Sequence, residues 1–200
     1  VKPYTHQVMD ESLPDGTPLK QDWALQHPND YLEVLFETIP KLMNETKISK
    51  DSIVGMSIDF TACTMIPVDD HYTPFCFIEG YQSRPHAYVK LWKHHAAQKH
   101  ANELNRIARD MDERFLSRYG GKISSEWMFP KIMQIKEEAP DIYQKARSFV
   151  EATDWVNFML TGVFKRNACT AGYKALWHKQ DGYPHQDFFK AIGLDGIMDK

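Results

Sequence analysis

Apolar residues recur at helical spacing between positions 32 and 43, where Leu32, Leu35, Phe36, Ile39, Leu42 and Met43 share one face. Pro28-Asn29-Asp30 supplies the start, with Asn29 or Asp30 as N-cap, and Pro40 is expected to kink or shorten the helix. The period then falls to two. Val54, Met56, Ile58 and Phe60 alternate with Gly55, Ser57 and Asp59 after Ile53, which predicts a strand. Met65 to Val68 predicts a second strand, Asp69-Asp70-His71-Tyr72 a turn, and Phe75-Cys76-Phe77 a return strand, together a hairpin. Ala87 to Trp92 predicts another short strand.

A long helix follows through Ala97, Ala101, Leu104, Ala108 and Met111, with Lys99, Glu103, Arg106 and Asp110 on its polar side. Gly120-Gly121 breaks the chain. Ser124 to Glu138 reads as a helix with Trp127, Met128, Ile132 and Ile135 inward, and Pro130 tolerable only in its first turn. Pro140 starts a short helix around Ile142, Tyr143 and Ala146. Thr153-Asp154 is expected to cap another, ending at Thr161-Gly162, and Phe188 to Ile192 forms a last amphipathic turn or two. No internal repeat, low-complexity tract or linker interrupts this order, and the mixture predicts an α/β or α+β domain.

Composition narrows the function classes. Lys and Arg total 24 against 27 Asp and Glu, a net charge of −3, which argues against a sequence-independent nucleic-acid binder. Hydrophobic residues make up 42%, enough for a core, so whole-chain disorder is excluded. No apolar run has membrane-span length, and Val1 to Asp10 holds no signal-peptide stretch. Cys63, Cys76 and Cys169 form no C-x-x-C pair, so neither a disulfide framework nor a cysteine zinc site is indicated. These features predict a soluble protein of a reducing compartment, the cytoplasm. The opening at Val1, polar and turn-rich through Asp22, suggests a processed terminus or a domain whose front is missing.

Most chemical motifs are absent. The chain has no G-x-x-x-x-G-K-[ST] loop, no G-x-G-x-x-G fingerprint and no G-x-S-x-G elbow. Asp15-Gly16-Thr17, followed by Pro18, reads as a turn. Cys63 could be a nucleophile just past a strand end, but a small buried thiol is the more ordinary reading. The Asn44-Glu45-Thr46 sequon carries little meaning without a secretion signal. Asp59 ends an apolar strand and precedes short side chains, where ligands of open α/β sheets collect. Lys174 follows the small-residue run Thr170-Ala171-Gly172, and Trp92 and Trp127 flank polar residues. A lysine, an aromatic face and accessible backbone amides suit a sugar or polyol. Surface charge and core packing are the plain alternatives for each residue alone.

Longer strings sharpen this. Ser57 to Asp69 (Ser-Ile-Asp-Phe-Thr-Ala-Cys-Thr-Met-Ile-Pro-Val-Asp), Val89 to Gln98, Tyr119 to Trp127, Glu151 to Trp155 with Leu160 to Gly162, and Asn167 to His178 occur in order. They resemble the L-ribulokinase branch of the FGGY carbohydrate kinase family, from about residue 20 onward. The resemblance implies an actin-like, ribonuclease H-like α/β domain that transfers the ATP γ-phosphoryl group, with Mg²⁺, to the terminal hydroxyl of L-ribulose in arabinose catabolism. By position it implies that Ala62 contacts the sugar through its backbone, Trp92 lines the pocket, and Lys174 bonds the ketose oxygens, with Glu126 and Trp127 nearby.

Departures from the family pattern set further expectations. The family's N-terminal strand with its acidic phosphate loop, the general-base aspartate and the second, nucleotide-binding domain find no counterpart in the chain. Residues 1–200 are therefore expected to be a partial N-terminal sugar-binding domain of a longer kinase. Alone, that segment is expected to be inactive, to bind no ATP or metal, and to self-associate. The remainder of the kinase chain and L-ribulose, or a related ketose or polyol, are the expected partners. Lys93-His94-His95 after Trp92 departs from the W-x-D-x-R-like run of many members. The rival readings are a non-catalytic sugar-binding or scaffold protein of the same fold, a sibling kinase for another polyol, and a metal-dependent hydrolase using His94, His95 and His100.

Overall fold

Four short strands meet in one antiparallel sheet: β1 (Leu25–Gln26), β2 (Met65–Val68), β3 (Val89–Lys90) and β4 (Ser148–Glu151), in the order β1-β3-β2-β4. The computed structural model describes every residue from Val1 to Lys200. Met65 lies opposite both Lys90 and Glu151, and the β2–β4 ladder continues through Ile66 with Val150 and Pro67 with Phe149. Side chains alternate across the sheet as the pleat requires. Leu25, Met65 and Phe149 enter the larger core, whereas Ile66, Val68, Val89 and Val150 enter a smaller one with Tyr31, Trp155 and Val156.

The larger core is built with helices α2 (Gln98–Asp110), α3 (Phe115–Arg118), α4 (Met128–Glu138), α5 (Pro140–Lys145) and α8 (Gln186–Ala191). Helix α2 presents Ala101, Leu104 and Ala108 inward and its charged residues outward, as its period predicts. Helix α4 starts at Met128, with Pro130 in its first turn, and is buried from Met128 through Ile135. The smaller core lies under α1 (Pro28–Thr46) and α6 (Ala152–Thr161). Gly162 ends α6 at φ +69°, a left-handed cap that glycine adopts without a Cβ clash.

Several elements differ from the sequence reading. The residues expected to form a strand from Ile53 to Phe60 join no ladder, and Val54 and Met56 are exposed. A strand's hydrogen bonds must come from a neighbouring strand; Ile58 and Phe60 meet the smaller core through their side chains only, and the sole backbone bond of the segment is local, Ile53 N–H to the Lys50 carbonyl. Phe75–Phe77 is a turn of 3-10 helix rather than a return strand. It buries the consecutive residues Phe75 and Cys76, which a strand would send to opposite faces. Only a single bridge, Val68 to Pro74, closes that turn. Helix α1 continues past Pro40 to Thr46, and its N-cap is His27, whose Nδ1 accepts the Asn29 amide at 3.2 Å. Strand β4 and helix α7 (Ala168–Lys174) were not expected, and α6 starts at Ala152 with Asp154 inside its first turn.

The chain start straps α1 in antiparallel sense. Lys2 pairs with Glu37, Thr5 donates to Glu33 at 2.6 Å, and His6 Nδ1 meets Asp30 Oδ1 at 2.6 Å. The strap covers the acidic side of the helix. The apolar side, with Phe36, Ile39 and Leu42, stays exposed.

Candidate functional site

The site grows from short segments brought to the start of α4: Thr61–Thr64 before β2, Leu91–His95 after β3, Ser124–Trp127, and the end of α7. Thr61–Thr64 closes on itself, the Thr64 hydroxyl donating to the Thr61 carbonyl at 2.7 Å. Thr64 N–H donates to Glu151 Oε2 at 3.1 Å. Helix α7 is capped by Asn167, whose side chain accepts the amides of Cys169 and Thr170, and whose own N–H donates to Asp154 Oδ1 at 3.0 Å. That fixes Lys174 on the last turn.

Lys174 and Glu126 meet directly, Nζ to Oε2 at 3.1 Å, with both side chains largely covered. His95 Nε2 lies 3.7 Å from Glu126 Oε1, and Ser125 Oγ lies 3.4 Å from His95 Nδ1. A string of polar groups thus runs from Lys174 to His95. Trp127 packs edge-on against Tyr119, ring centres 4.5 Å apart, and the Tyr119 hydroxyl donates to the Gly172 carbonyl at 2.7 Å. A Cβ at Gly172 would lie 3.4 Å from the Trp177 carbonyl oxygen, in contact with the segment that follows α7. Trp92 is 40% exposed, an indole face open to a ligand.

Ala62 and Trp92 are joined through a residue that sequence reasoning missed. Lys131, fully buried on α4, donates from Nζ to the Cys63 carbonyl at 2.7 Å and the Leu91 carbonyl at 2.9 Å. Burial pulls its ammonium below the usual lysine range, against the pull of the nearby Glu151 carboxylate. Burial pushes Glu151 up to about 7, and the Cys63 thiol well above its ordinary range. Cys63 is therefore a core thiol rather than a thiolate nucleophile. The signal for Lys131 lay in its neighbours: Phe129, Pro130, Ile132 and Met133 make a stretch of helix with no solvent side.

The histidine hydrolase reading does not fit. His94 is buried, accepting the Ala24 amide on Nδ1 and so donating from Nε2 to Gln134 Oε1 at 2.9 Å. His95 turns to Glu126 and His100 to Glu137, so the three share no ligand point. The one group with metal-ligand proximity is His6, His27 and Asp30. The His6 and His27 rings stack at 4.3 Å, 19° from parallel, so their nitrogen lone pairs lie in separate planes and the cluster acts as a helix clamp. Asp59 is exposed in the unpaired segment. A cleft of about 350 Å³ between Phe129, Phe149, Phe164 and Arg166 touches none of Ala62, Trp92, Glu126, Trp127 or Lys174.

Comparison with known proteins places the chain in a family. Residues 7–195 match the family described as the FGGY family of carbohydrate kinases, N-terminal domain. The chain is 59% identical over 193 residues to a ribulokinase of Bacillus licheniformis, covering 96% of this chain and 35% of that protein. It is 58% identical to a ribulokinase of Shouchella clausii over 96% of this chain and 34% of the relative. The chain thus spans about a third of the length of these curated relatives. Among solved structures, the xylulose kinase of Rhodospirillum rubrum superposes with a TM-score of 0.66 at 14% identity, over 89% of this chain and 34% of that one, a likeness of fold.

Proposed function

The chain belongs to the FGGY family of carbohydrate kinases, as an N-terminal domain with the family's actin-like α/β fold, and from that premise we propose that it builds the sugar-facing wall of an L-ribulose kinase. The observation that carries the reading is the Lys174–Glu126–His95 string, whose His95 lies on the segment that also exposes Trp92, in a chain 59% identical to a ribulokinase. The Lys174 ammonium donates to the ketose oxygens, and Glu126 holds it in place. Trp92 covers the C–H face of the sugar, Ala62 offers backbone atoms, and Trp127 borders the pocket.

One ammonium, one carboxylate, an imidazole and an indole suit an uncharged polyol. They do not fit a triphosphate with its metal, so no phosphoryl-transfer step is derived from these residues. ATP and Mg²⁺ are assigned to the rest of the enzyme, as is the general base, and 1–200 is read as one domain of the whole. The exposed side of α1 and the 53–60 segment suit a covering of further polypeptide, from the enzyme itself or a second copy. The reading places the enzyme in the cytoplasm. No helix is long and apolar enough to cross a membrane.

The test is steady-state kinetics of the whole enzyme with L-ribulose, xylulose and glycerol. L-ribulose is expected to be the best substrate. Lys174→Met should raise its KM by about tenfold to a hundredfold, as for loss of a hydrogen bond from a charged group, with the KM for Mg·ATP unchanged. Equal or better efficiency with xylulose or glycerol overturns the ribulose assignment, and sugar binding without turnover favours the scaffold alternative.

A further inference from the structure

The hydrogen bonds around Lys131 and Glu151 converge on one peptide unit. The Cys63 carbonyl accepts from Lys131 Nζ at 2.7 Å, and the amide of the same unit, Thr64 N–H, donates to Glu151 Oε2 at 3.1 Å. A buried cation and a buried carboxylate therefore grip opposite ends of one peptide plane. Both come from the rigid interior, Lys131 from helix α4 and Glu151 from the end of strand β4. The second bond of Lys131, to the Leu91 carbonyl at 2.9 Å, ties that plane to the residue before Trp92. The two segments lie 28 positions apart and follow different elements. Helix α4 also begins where Glu126 and Trp127 end, so one helix carries both the clamp and part of the wall.

We infer that Lys131 and Glu151 are positioning residues for sugar binding: they fix the Cys63–Thr64 peptide, and Lys131 locks it to Leu91, so that the Ala62 backbone and the Trp92 indole face the ketose at a set separation. Neither side chain touches the sugar. The inference rests on the ketose-kinase reading. Its logic is that of preorganisation, in which a small displacement of a positioning group weakens binding although no contact group has changed.

The experiment uses the whole enzyme. Lys131→Met keeps the stem length and removes both donors. It should raise the KM for L-ribulose about tenfold or more while the KM for Mg·ATP stays within about twofold. Trp155→Phe serves as the comparison, because it loses a half-buried hydrogen bond to the Tyr72 carbonyl, which belongs to neither segment. It should lower Tm and leave both KM values within about twofold. A Lys131→Met enzyme whose two KM values move together, or move no more than those of Trp155→Phe, overturns the inference. Should Lys131→Met not fold, amide exchange of the wild type decides: saturating L-ribulose must slow residues 61–64 and 91–94 together, and protection of one segment alone overturns the clamp. If the wild-type enzyme does not phosphorylate L-ribulose, the kinase reading has failed. The clamp is then read from exchange without sugar, where Lys131→Met must loosen both segments at once.

Discussion

Helices α1 and α4 each contain a proline and carry apolar residues at helical spacing, yet their surroundings are opposite. Every residue of α4 from Met128 to Ile135 is buried, whereas α1 buries only Pro28, Asp30 and Tyr31. Helix α4 is packed against α2 and α5 and reaches α8 through Phe129 and Phe189, ring centres 4.9 Å apart. Helix α1 has the strap on its acidic side and nothing over Phe36 or Leu42. Both are helices because a helix makes its backbone bonds internally. The neighbouring segment 53–60 has the alternation of a strand but cannot bond itself, and it stays unpaired. An amphipathic pattern specifies a face to be covered; it does not bring the cover.

The sharpest way to break this comparison is a matched pair of truncations followed by urea denaturation. Ile135→Ala, at a fully buried site, should cost about 2–5 kcal/mol, and Phe36→Ala, 70% exposed, less than about 0.5 kcal/mol. If Phe36→Ala costs as much as Ile135→Ala, the face of α1 is covered in solution. In the whole enzyme, a large Phe36→Ala effect would identify the covering segment as part of the same protein.

A smaller effect comes from titration. Burial holds Glu151 up at about 7, above its ordinary 4.5, so the folded protein binds a proton that the unfolded chain releases. Its favourable contribution is complete below about pH 4.5 and is lost as pH rises through about 7. Glu151→Gln cannot ionise and keeps an oxygen for the Thr64 amide. Its Tm relative to wild type should climb between about pH 5 and about pH 8. A Tm difference independent of pH would show that Glu151 titrates normally. At His86, which meets Glu138 of α4, the sign is opposite: burial first, then the Lys90 charge, hold it down at about 4, so its contribution is lost as pH falls from 6.5 through about 4.

The smallest effect belongs to the surface. Lys41 and Glu45 on α1 lie 3.9 Å apart and mostly exposed, so Lys41→Ala should change stability by less than about 0.5 kcal/mol in the same denaturation assay. A larger loss would mean that this end of α1 is not free in solution.

Legibility followed the range of the interactions. The α2, α4 and α8 helices could be read because their period is local and long enough to count. Strand β4 is only Ser-Phe-Val-Glu between two helices, too short for alternation to show. Helix α7 holds Gly172 and a run of small residues, so it reads as a loop until Asn167 is seen to cap it. At the site, Lys174 and Glu126 were legible singly within recognisable strings; their contact with each other is seen only in the structure. Lys131 and Glu151 were not, because an isolated charge in a sequence looks like a solvent-facing position. For Lys131 the apolar run around it, and for Glu151 only its packing partners, betray a charge held inside.

The grip on the Cys63–Thr64 peptide falls on backbone atoms, and this has a consequence for how the sequence can drift. A carbonyl at 63 or 91 is supplied by any amino acid, and an N–H at 64 by any except proline. Letters at those positions are free to change, within the space the core allows, while the handles persist. Positions 131 and 151 have no such freedom, since there the side chain itself is the hand. Over many generations the gripping residues should hold still while the residues they grip wander.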